Sequence, residues 1–383
     1  MIGQKGIPAH SGGVERSVEE LATRLVRMGH EVFVYCRAPY TPRSRRTYRG
    51  VHLIHLPSIR TKHLDAITHT FFATIDVLFR DANIVHYHGI GPSLLLWVVR
   101  LLKPRTPVIA TFQCQDYFHQ KWGVVARACL KWGEFIACTI AHRTIVVSQL
   151  LEQYVKSVYQ RRATYIPNGA TVLPRSALSS VRHLGLRSGG YILVVSRLVR
   201  HKGIHTLIDA MKTIRTEQKL VIVGTSAFTD TYVRELRRRA AGDPRIVFLG
   251  ERKGPQLHSL YAHASFVMQP SQAEGMSLVL LEALGHGKVV LASDIPEHRE
   301  VLRGHGFFFR NRSVADCAAK LKFLFAHPEL IPEKRTILRA YARKTYDWDV
   351  IVARTLELYR ECAPRGVETM EAPSGVRARL QTT

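Results

Sequence analysis

The chain has 383 residues, 46% of them apolar and 22% charged, and it carries a net charge of +25 at pH 7. This length predicts two or three domains of ordinary size, each able to bury its own core. The six cysteines show no paired short spacing, so neither a zinc site nor a disulfide framework is indicated, and the most apolar run, residues 94–102, is too short to span a bilayer and contains Arg100.

In the first part of the chain, apolar residues recur at helical spacing over residues 14–26 and predict a helix that ends at Gly29. The chain opens part-way through an expected first core strand, so we expect further residues upstream of Met1. The predicted strands of this part are residues 32–35, 84–87, 108–111 and 144–148. The proline and glycine within residues 165–169 indicate a turn at which the first domain ends.

In the second part, five short apolar strands alternate with helical stretches. These predicted strands are residues 191–196, 220–224, 246–250, 264–268 and 289–293. The alternation of strand and helix predicts an α/β fold with parallel sheets and helices on both faces. A last helix is predicted over residues 348–361, and the composition of residues 363–383 predicts a loose basic tail.

A basic loop follows the predicted strand at residues 191–196. Arg197 and Lys202 lie in this loop, and a helix is predicted directly after it, over Ile204–Lys212. In open parallel sheets, ligands bind beyond the carboxyl ends of the strands, so both cations are expected to project into that crevice and neutralise a diphosphate. The alternative is a solvated basic loop, which is common in a chain this cationic.

Two carboxylates eight positions apart, Glu274 and Glu282, suit a nucleotide sugar. At 1.5 Å per residue they are separated by about 12 Å if the segment is mostly helical, roughly the distance from a ribose to a hexose across a diphosphate. Gly275 permits close approach of the backbone, and a helix that begins near Ser277 offers free N–H groups to phosphate. The alternative is an amphipathic helix with two solvated glutamates.

Gly12 and Gly13 open the first predicted helix, where backbone without side chains can approach a donor phosphate and a sugar. Two glycines at this point exceed what a simple tight turn needs. Glu15 lies in the first helical turn, where a carboxylate is favourable for the helix dipole alone, and we expect it to be structural.

The positive charge is spread over the whole chain. Residues 1–168 hold 22 Lys and Arg against 10 Asp and Glu, or +12, which leaves +13 for the remainder. The densest stretch without acidic residues, residues 37–62, is expected to be a long basic loop. Such a field attracts polyanions, but no recognised RNA-binding pattern accompanies it, so an anionic membrane surface is favoured over nucleic acid.

Several motifs, together with the residues above, resemble those of a known family. They are Gly3-Gln4-Lys5-Gly6-Ile7-Pro8, Gly12-Gly13-Val14-Glu15, Gly29-His30-Glu31-Val32, Tyr35-Cys36-Arg37, Lys121-Trp122-Gly123, Ile166-Pro167-Asn168-Gly169 and Ser293-Asp294-Ile295-Pro296-Glu297-His298. Through nearly its whole length the chain resembles a retaining glycosyltransferase of family 4. The motifs nearest the amino terminus are similar to those of a bacterial exopolysaccharide subgroup.

The resemblance implies the GT-B architecture, in which two Rossmann-like domains with parallel sheets face each other across a cleft and a C-terminal helix crosses back to the first domain. We therefore expect an acceptor-side domain at residues 1–168, a nucleotide-sugar-binding domain at residues 169–346 and the returning helix at residues 347–362. The implied reaction moves a hexose-type sugar from a nucleotide diphosphate to an acceptor hydroxyl, with retention at the anomeric carbon.

The resemblance also implies roles for individual residues. Arg197 and Lys202 are expected to hold the diphosphate, and Glu274 is expected to hold the transferring sugar. Glu282 is expected to bind the ribose hydroxyls. Further donor contacts are expected at Gly12, Gly13, Gln113, Gly275, Met276, Ser277 and Leu278.

No metal or other cofactor is expected, because in this family the two cations perform the metal's task. Asp347-Trp348-Asp349 resembles the metal-binding Asp-x-Asp of a different glycosyltransferase architecture, but Asp347 stands where a helix cap is expected. Metal sites also need more oxygen ligands than this pair supplies.

The main departure from the family is Gln113, where members usually have a histidine that faces the donor sugar. Gln113 can exchange hydrogen bonds with a hydroxyl but cannot hold a proton. In the implied front-face mechanism the leaving phosphate takes the acceptor's proton, so charge stabilisation dominates. His86, His88 and His119 are candidates to replace the histidine in space, with a core or surface role as the alternative. Asp116 and His88 are the acceptor-side candidates.

These observations predict a cytoplasmic, metal-independent retaining glycosyltransferase at the inner face of the cell membrane. Its partners are a nucleotide-sugar donor and a lipid-linked or saccharide acceptor of cell-surface polysaccharide synthesis. One alternative is a protein that binds the donor but transfers poorly, because Gln113 replaces the usual histidine. The other is a nucleic-acid-binding protein, which only the charge supports, so no nucleic acid is expected as a partner.

Overall fold

Strands and helices alternate along the chain in a computed structural model that describes residues 1–9, 12–61, 64–118, 122–171, 181–226 and 229–363. Contacts between residues divide the chain into two units. The first unit comprises Met1–Gly169 and the chain from Trp348 onward, and the second comprises Ala170–Asp347. Apart from its first residue, the tail expected at residues 363–383 lies outside the described residues.

The helices are numbered in chain order. They are α1 (Gly13–Arg27), α2 (Leu64–Leu78), α3 (Ile90–Ser93), α4 (Leu96–Leu102), α5 (Val124–Thr139), α6 (Gln149–Tyr159), α7 (Ile204–Lys212), α8 (Asp230–Ala240), α9 (Gly254–His263), α10 (Leu278–Gly285), α11 (Pro296–Leu302), α12 (Val314–Ala326), α13 (Leu330–Thr345) and α14 (Trp348–Cys362). Within the described residues, no helix is both long and apolar enough to cross a bilayer.

The strands are numbered in the same way. They are β1 (Phe33–Arg37), β2 (Thr47–Tyr48), β3 (Val51–Leu56), β4 (Val85–His88), β5 (Val108–Phe112), β6 (Arg143–Val146), β7 (Thr164–Tyr165), β8 (Tyr191–Val195), β9 (Lys219–Val223), β10 (Ile246–Gly250), β11 (Val267–Gln269), β12 (Val290–Ser293) and β13 (Phe307–Phe309). β4, β5, β11 and β12 are buried along their whole length, and β1, β6, β8 and β9 are buried at all but one residue, which fits the apolar runs of β5, β8 and β9.

The strands of the first unit lie on either side of the first residues of the chain. β3 pairs parallel with β1 and antiparallel with β2, while β4, β5, β6 and β7 pair parallel in that order. The amide of Ile2 donates to the carbonyl of His86 at 2.9 Å, and the amide of Tyr35 donates to the carbonyl of Met1 at 3.1 Å. Met1 and Ile2 therefore lie between β1 and β4, in the place of the expected first core strand.

The two faces of this sheet are covered by different helices, because side chains alternate in direction along each strand. One core cluster joins Val34 and Ile109 to apolar residues of α1 and α14. The other joins Tyr35 and Tyr87 to apolar residues of α2, α4 and α5. α14 packs so closely that a Cβ on Gly169 would lie 2.3 Å from the Trp348 ring.

The second unit contains one six-stranded parallel sheet in the order β10-β9-β8-β11-β12-β13. From β8 the chain moves outward through β9 to β10, and it then returns to the other side of β8 at β11 and moves outward in the opposite direction. The strand order therefore reverses between β8 and β11. This is the topological switch point, where the loops that follow two neighbouring strands diverge and leave a crevice for a ligand.

The predicted α/β class with parallel sheets is confirmed, and so are most of the predicted elements. The helix predicted over Ile204–Lys212 and the strand at residues 246–250 have the observed bounds. The strand predicted at residues 264–268 begins later, at Val267, because Ala264 forms the carboxyl-terminal cap of α9. β13 was not predicted and extends the sheet by pairing parallel with β12.

The prediction of a long basic loop at residues 37–62 is wrong. The segment contains β2 and β3, and β3 pairs with β1 along five residues. Val51 and Leu53 are buried, but histidines at positions 52 and 55 conceal the alternation of a strand. Arg37 is also buried, and its Nη1 donates to Asp65 Oδ2 at 2.7 Å, so it contributes no free surface charge.

Candidate functional site

The loops that follow β8 and β11 meet at the switch point of the second unit. Gly203 lies between them with φ +67°, and a Cβ at this position would lie 1.9 Å from the Pro270 carbonyl oxygen. The amide of Gln272 donates to the carbonyl of His201 at 2.7 Å. The contact with Pro270 therefore requires glycine at position 203, and the two loops are fixed to each other by their backbones.

Lys202 and Glu274 form an ion pair across these two loops. Lys202 lies in a short 3₁₀ turn before α7, and its Nζ donates to Glu274 Oε1. The two side chains are only 13% and 10% exposed. Residues 72 positions apart in sequence are thus brought together because β8 and β11 are neighbours in the sheet. A buried pair of this kind is costly to break by removing one partner only.

The surroundings of Glu274 keep its carboxyl group ionised. Burial raises the pKa of Glu274, but the charge and hydrogen bond of Lys202, together with His298 and the Ser271 hydroxyl, bring the pKa to about 2. His298 is fully buried close by, and burial lowers its pKa to about 4, so its ring is neutral at pH 7. His298 Nδ1 lies 2.9 Å from the Ser293 carbonyl oxygen. At neutral pH, Glu274 can therefore only accept hydrogen bonds.

Gln269, to which the sequence interpretation assigned no role, orients Glu274. Its Nε2 lies 3.0 Å from Glu274 Oε1, 3.1 Å from Ser277 Oγ and 3.2 Å from Ser271 Oγ. The available signal was its position, because Gln269 is the polar last residue of an otherwise apolar strand and so lies at the carboxyl edge of the sheet.

α10 begins directly beyond Glu274. Ser277 is the residue before its first turn, and the Ser277 hydroxyl makes no capping bond. The amides of Leu280 and Leu281 donate to the Ser277 carbonyl at 3.1 and 3.4 Å, so the N–H groups of Leu278 and Val279 precede the first bonds of the helix, which is the arrangement that favours an anion. Glu282 lies one turn further along α10 and is half-buried beside Tyr261. Burial, and then the Glu282 carboxylate, raises the pKa of the Tyr261 phenol well above its usual value.

Arg197 is exposed in the loop after β8, five positions before Lys202. The second unit thus places Arg197, Lys202, Glu274 and the amino terminus of α10 at the carboxyl edge of two neighbouring strands. Two cations, one carboxylate and a helix N-terminus form an arrangement that can hold an anionic group and a hydroxyl-bearing group side by side.

In the first unit, Gly12 and Gly13 are exposed at the amino terminus of α1. Gly12 has φ +106°, and a Cβ there would lie 2.0 Å from Glu15 Oε2. Glu15 is buried and accepts from the Lys5 amide at 3.1 Å. Glycine at position 12 therefore already has a local structural reason, and Glu15 acts by anchoring the preceding loop.

A small pocket of the first unit collects several of the predicted polar residues. Its lining includes His86, His88, Gln113 and Asn168, together with residues of α1 and α14. Gln113 Oε1 accepts weakly from Asn168 Nδ2 at 3.5 Å. His86 is held on both sides, with Nδ1 2.6 Å from the Tyr359 hydroxyl and Nε2 2.6 Å from the Thr111 hydroxyl. His86 is therefore a structural histidine.

His88 differs from His86 in having no hydrogen-bond partner on either ring nitrogen, although it is only 4% exposed. Burial lowers its pKa to about 3, so the ring is neutral at pH 7. The two histidine rings lie 4.0 Å apart, because both residues point to the same face of β4. A buried polar ring with unused hydrogen-bonding capacity, in a pocket beside Gln113, is suited to a polar ligand group.

Two other candidates lie elsewhere. Asp116 lies in a turn after β5, where it accepts from Cys114 Sγ at 3.2 Å, and it does not line the pocket of His88. His119 lies outside the described residues.

In the Asp-x-Asp motif at residues 347–349, Asp349 accepts from Arg24 Nε at 2.9 Å. In the described parts of the chain, no group of three His, Cys, Asp or Glu side chains is arranged to hold a metal ion.

Comparison with known proteins places these residues in a family. Residues 11–172 match the family Glycosyltransferase Family 4, and residues 189–327 match Glycosyl transferases group 1. An uncharacterized glycosyltransferase of Methanocaldococcus jannaschii is 30% identical over 323 residues, which cover 77% of this chain and 80% of that protein. The phosphatidyl-myo-inositol mannosyltransferase of Mycobacterium leprae is 28% identical over 303 residues, or 76% and 77% of the two chains.

Among solved structures, Anabaena HepE in complex with UDP and glucose superimposes with a TM-score of 0.77. The two chains are 19% identical, and the alignment covers 93% of this chain and 98% of HepE. This likeness shows the GT-B fold.

Proposed function

The chain belongs to the glycosyltransferases of family 4, and from this premise we propose that it moves a hexose-type sugar from a nucleoside diphosphate to an acceptor hydroxyl, with retention at the anomeric carbon. The bond between the sugar and the leaving diphosphate breaks, and a bond from the anomeric carbon to the acceptor oxygen forms on the same face. The acceptor's proton passes to the leaving phosphate.

The observation that carries the proposal is the arrangement of Arg197, Lys202 and Glu274 at the switch point of the second unit. Two cations beside a helix N-terminus can stabilise the negative charge that grows on a departing diphosphate. Arg197 offers a planar fork of donors and Lys202 a point charge. Such charge stabilisation is the task that a metal performs in other transferases, so the proposed reaction needs none.

The ion pair gives Lys202 and Glu274 two successive roles. Before the donor arrives, each neutralises the other and keeps the partner ordered. When the diphosphate binds, Lys202 can turn to phosphate, and Glu274, already ionised and oriented by Gln269, becomes an acceptor for the hydroxyls of the transferring sugar. The amides at the start of α10 then bind phosphate, and the Glu282 carboxylate binds the ribose hydroxyls.

The pocket of the first unit is proposed to contact the transferring sugar. Gln113 replaces the histidine that is usual in the family, and His88 supplies a neutral ring with two unused hydrogen-bonding positions beside it. Neither group carries a proton for the reaction near pH 7. Both therefore act by orienting hydroxyls, while the leaving phosphate remains the base. Asp116 stays the proposed contact for the acceptor.

The acceptor is proposed to be a lipid-linked saccharide at the inner face of the cell membrane, in the synthesis of a cell-surface polysaccharide. The excess of positive charge supports this proposal, because anionic leaflets attract basic surfaces. The name of the Mycobacterium leprae relative, a phosphatidyl-myo-inositol mannosyltransferase, points in the same direction.

Transfer can be tested with UDP-, GDP-, dTDP- and ADP-sugars and a lipid-linked saccharide extract as acceptor. The expected result is release of one nucleoside diphosphate that depends on the acceptor and is unchanged by a chelator. The anomeric configuration of the product, read by NMR, should equal that of the donor.

Gln113 motivates a second candidate function, that of a protein that binds the donor but transfers the sugar poorly. Donor binding without any product would favour it.

A further inference from the structure

Four of the large apolar side chains of α2 face solvent, whereas four of its six buried residues are polar. The exposed residues are Leu64, Phe71, Phe72 and Ile75, followed by Phe79, which is 86% exposed. These positions recur at helical spacing and so form one stripe. The buried residues of the helix include Asp65, His69, Thr70 and Thr74.

Two polar side chains on the buried side of α2 are held by partners on the sheet and its loops. Asp65 accepts from Arg37 at 2.7 Å and from the Ser58 hydroxyl at 2.7 Å. The Thr74 hydroxyl lies 2.8 Å from that of Tyr87. Because turning the helix would leave the buried Arg37 and Asp65 without each other, the apolar stripe is held outward.

The exposed apolar surface continues onto the neighbouring helices. α2 contacts α4, α4 contacts α5, and the three helices share one core cluster on one face of the sheet. The exposed large apolar side chains of α4 are Trp97, Leu101 and Leu102, and those of α5 are Val124, Val125, Trp132 and Phe135. We call Phe79 and the exposed apolar side chains of α2, α4 and α5 the outer face.

The outer face is a property of the first unit only. Of the 18 large apolar side chains that are exposed in the described chain, 16 lie in the first unit, and only Phe323 and Ile337 lie in the second. Contiguous exposed apolar surface of this kind marks a site of interaction in soluble proteins.

The charges around the outer face are mostly positive. Residues 57–135 hold nine Lys and Arg against five Asp and Glu. Of these five acids only Asp81 is exposed, whereas Arg60, Arg105, Arg127 and Lys131 are all exposed. The partner that covers the outer face should therefore be apolar within and negatively charged at its surface.

We propose that the outer face rests on an anionic lipid bilayer, with its aromatic rings among the headgroups and its basic side chains on lipid phosphates. Aromatic and aliphatic side chains beside Lys and Arg, on helices too short to span, are the pattern of an interfacial contact. A second copy of the chain fits less well, since two such faces would bring like charges together. The idea that the acceptor is bound at this surface rests on the proposed function. The binding of the outer face to lipid does not depend on that function.

The test is flotation of the full-length chain with vesicles of phosphatidylcholine alone or mixed with phosphatidylglycerol. The wild-type chain should float with the anionic vesicles and much less with the neutral ones. A triple variant, Phe71→Ser, Phe72→Ser and Phe79→Ser, should partition at least about tenfold less. The matched control, Phe323→Ser with Ile337→Ser, removes exposed apolar side chains of the second unit and should float like the wild type.

A second variant, Arg127→Gln with Lys131→Gln, should also weaken binding to the anionic vesicles and keeps the test valid if the triple variant fails to fold. Unchanged flotation of both variants would overturn the proposal. So would a wild-type chain that ignores vesicles but forms a dimer that the triple variant abolishes. Vesicle binding in a chain that transfers no sugar would leave this inference standing and remove the proposed function.

Discussion

The candidate residues of the two units differ in charge state and in pairing. In the second unit, Lys202 and Glu274 are ionised and bound to each other beside the exposed Arg197. In the first unit, His88 and Gln113 are neutral, and the ring nitrogens of His88 have no partner. This contrast suggests a division of work, in which the second unit provides the charge that stabilises a leaving diphosphate and the first orients uncharged hydroxyls.

The largest expected effect comes from removing charge in the second unit. Arg197→Ala and Lys202→Ala should each lower kcat by about a hundredfold or more, because each deletes a donor aimed at charge that develops in the reaction. Initial rates of nucleoside diphosphate release measure this. Arg234→Ala is the matched control, since Arg234 is exposed on α8, and it should leave the rate unchanged. Wild-type rates in both site variants would remove the assignment.

The ion pair predicts a pH-dependent contribution to stability. Because the pKa of Glu274 in the folded chain, about 2, lies below its ordinary value of 4.5, the carboxylate stabilises the fold above about pH 4.5, and this contribution fades as the pH falls toward 2. Glu274→Gln should cost at most about 3 kcal/mol near neutral pH and progressively less in acid. Urea unfolding at several pH values measures the difference. A difference that does not shrink in acid would contradict the pairing.

A smaller loss is expected from the pocket of the first unit. His88→Ala should lower kcat/KM about tenfold, because a lost hydrogen bond to a sugar hydroxyl is worth roughly 1.4 kcal/mol. His88→Asn, which retains a donor and an acceptor, should recover part of the loss. Since burial lowers the pKa of His88 to about 3, neither variant should change the pH profile above about pH 5. An inflection that disappears with His88 would show a role in proton transfer instead.

The smallest effect is expected from replacing Gln113 by the histidine that is usual in the family. If the leaving phosphate takes the proton, Gln113→His should change kcat by no more than about threefold, because both side chains can orient a hydroxyl. The exposed His183→Ala serves as the control for a histidine outside the pocket. A large gain in Gln113→His would instead favour the view that the natural chain transfers poorly.

Local patterns predicted the second unit better than the first. The bounds of α7 and of β10 follow from short apolar runs that end at glycine or at a charged residue, and the structure has the same bounds. The contact of Lys202 with Glu274 depends on β8 and β11 being neighbours, and the order of strands is a property of the whole sheet. For that reason Gln269, the last residue of β11, received no role in the sequence interpretation.

The first unit was harder to predict because its exceptions are set by distant partners. Apolar periodicity in α2 would place Phe71 and Phe72 in the core, yet Asp65 and Thr74 occupy that side because Arg37 and Tyr87 offer them hydrogen bonds. β3 was missed since His52 and His55, one on each face of the strand, interrupt its apolar residues and break the alternation. The missing partners of His88 likewise become visible only once the surrounding side chains are placed.

The central claim, that the switch point of the second unit holds a nucleoside diphosphate, is tested most directly by thermal stability against UDP-, GDP-, dTDP- and ADP-sugars. The account predicts that one nucleotide raises Tm, that the shift is lost in Lys202→Ala and in Glu282→Ala, and that it is kept in Arg234→Ala. A shift that both site variants retain, or no shift with any donor, would contradict it.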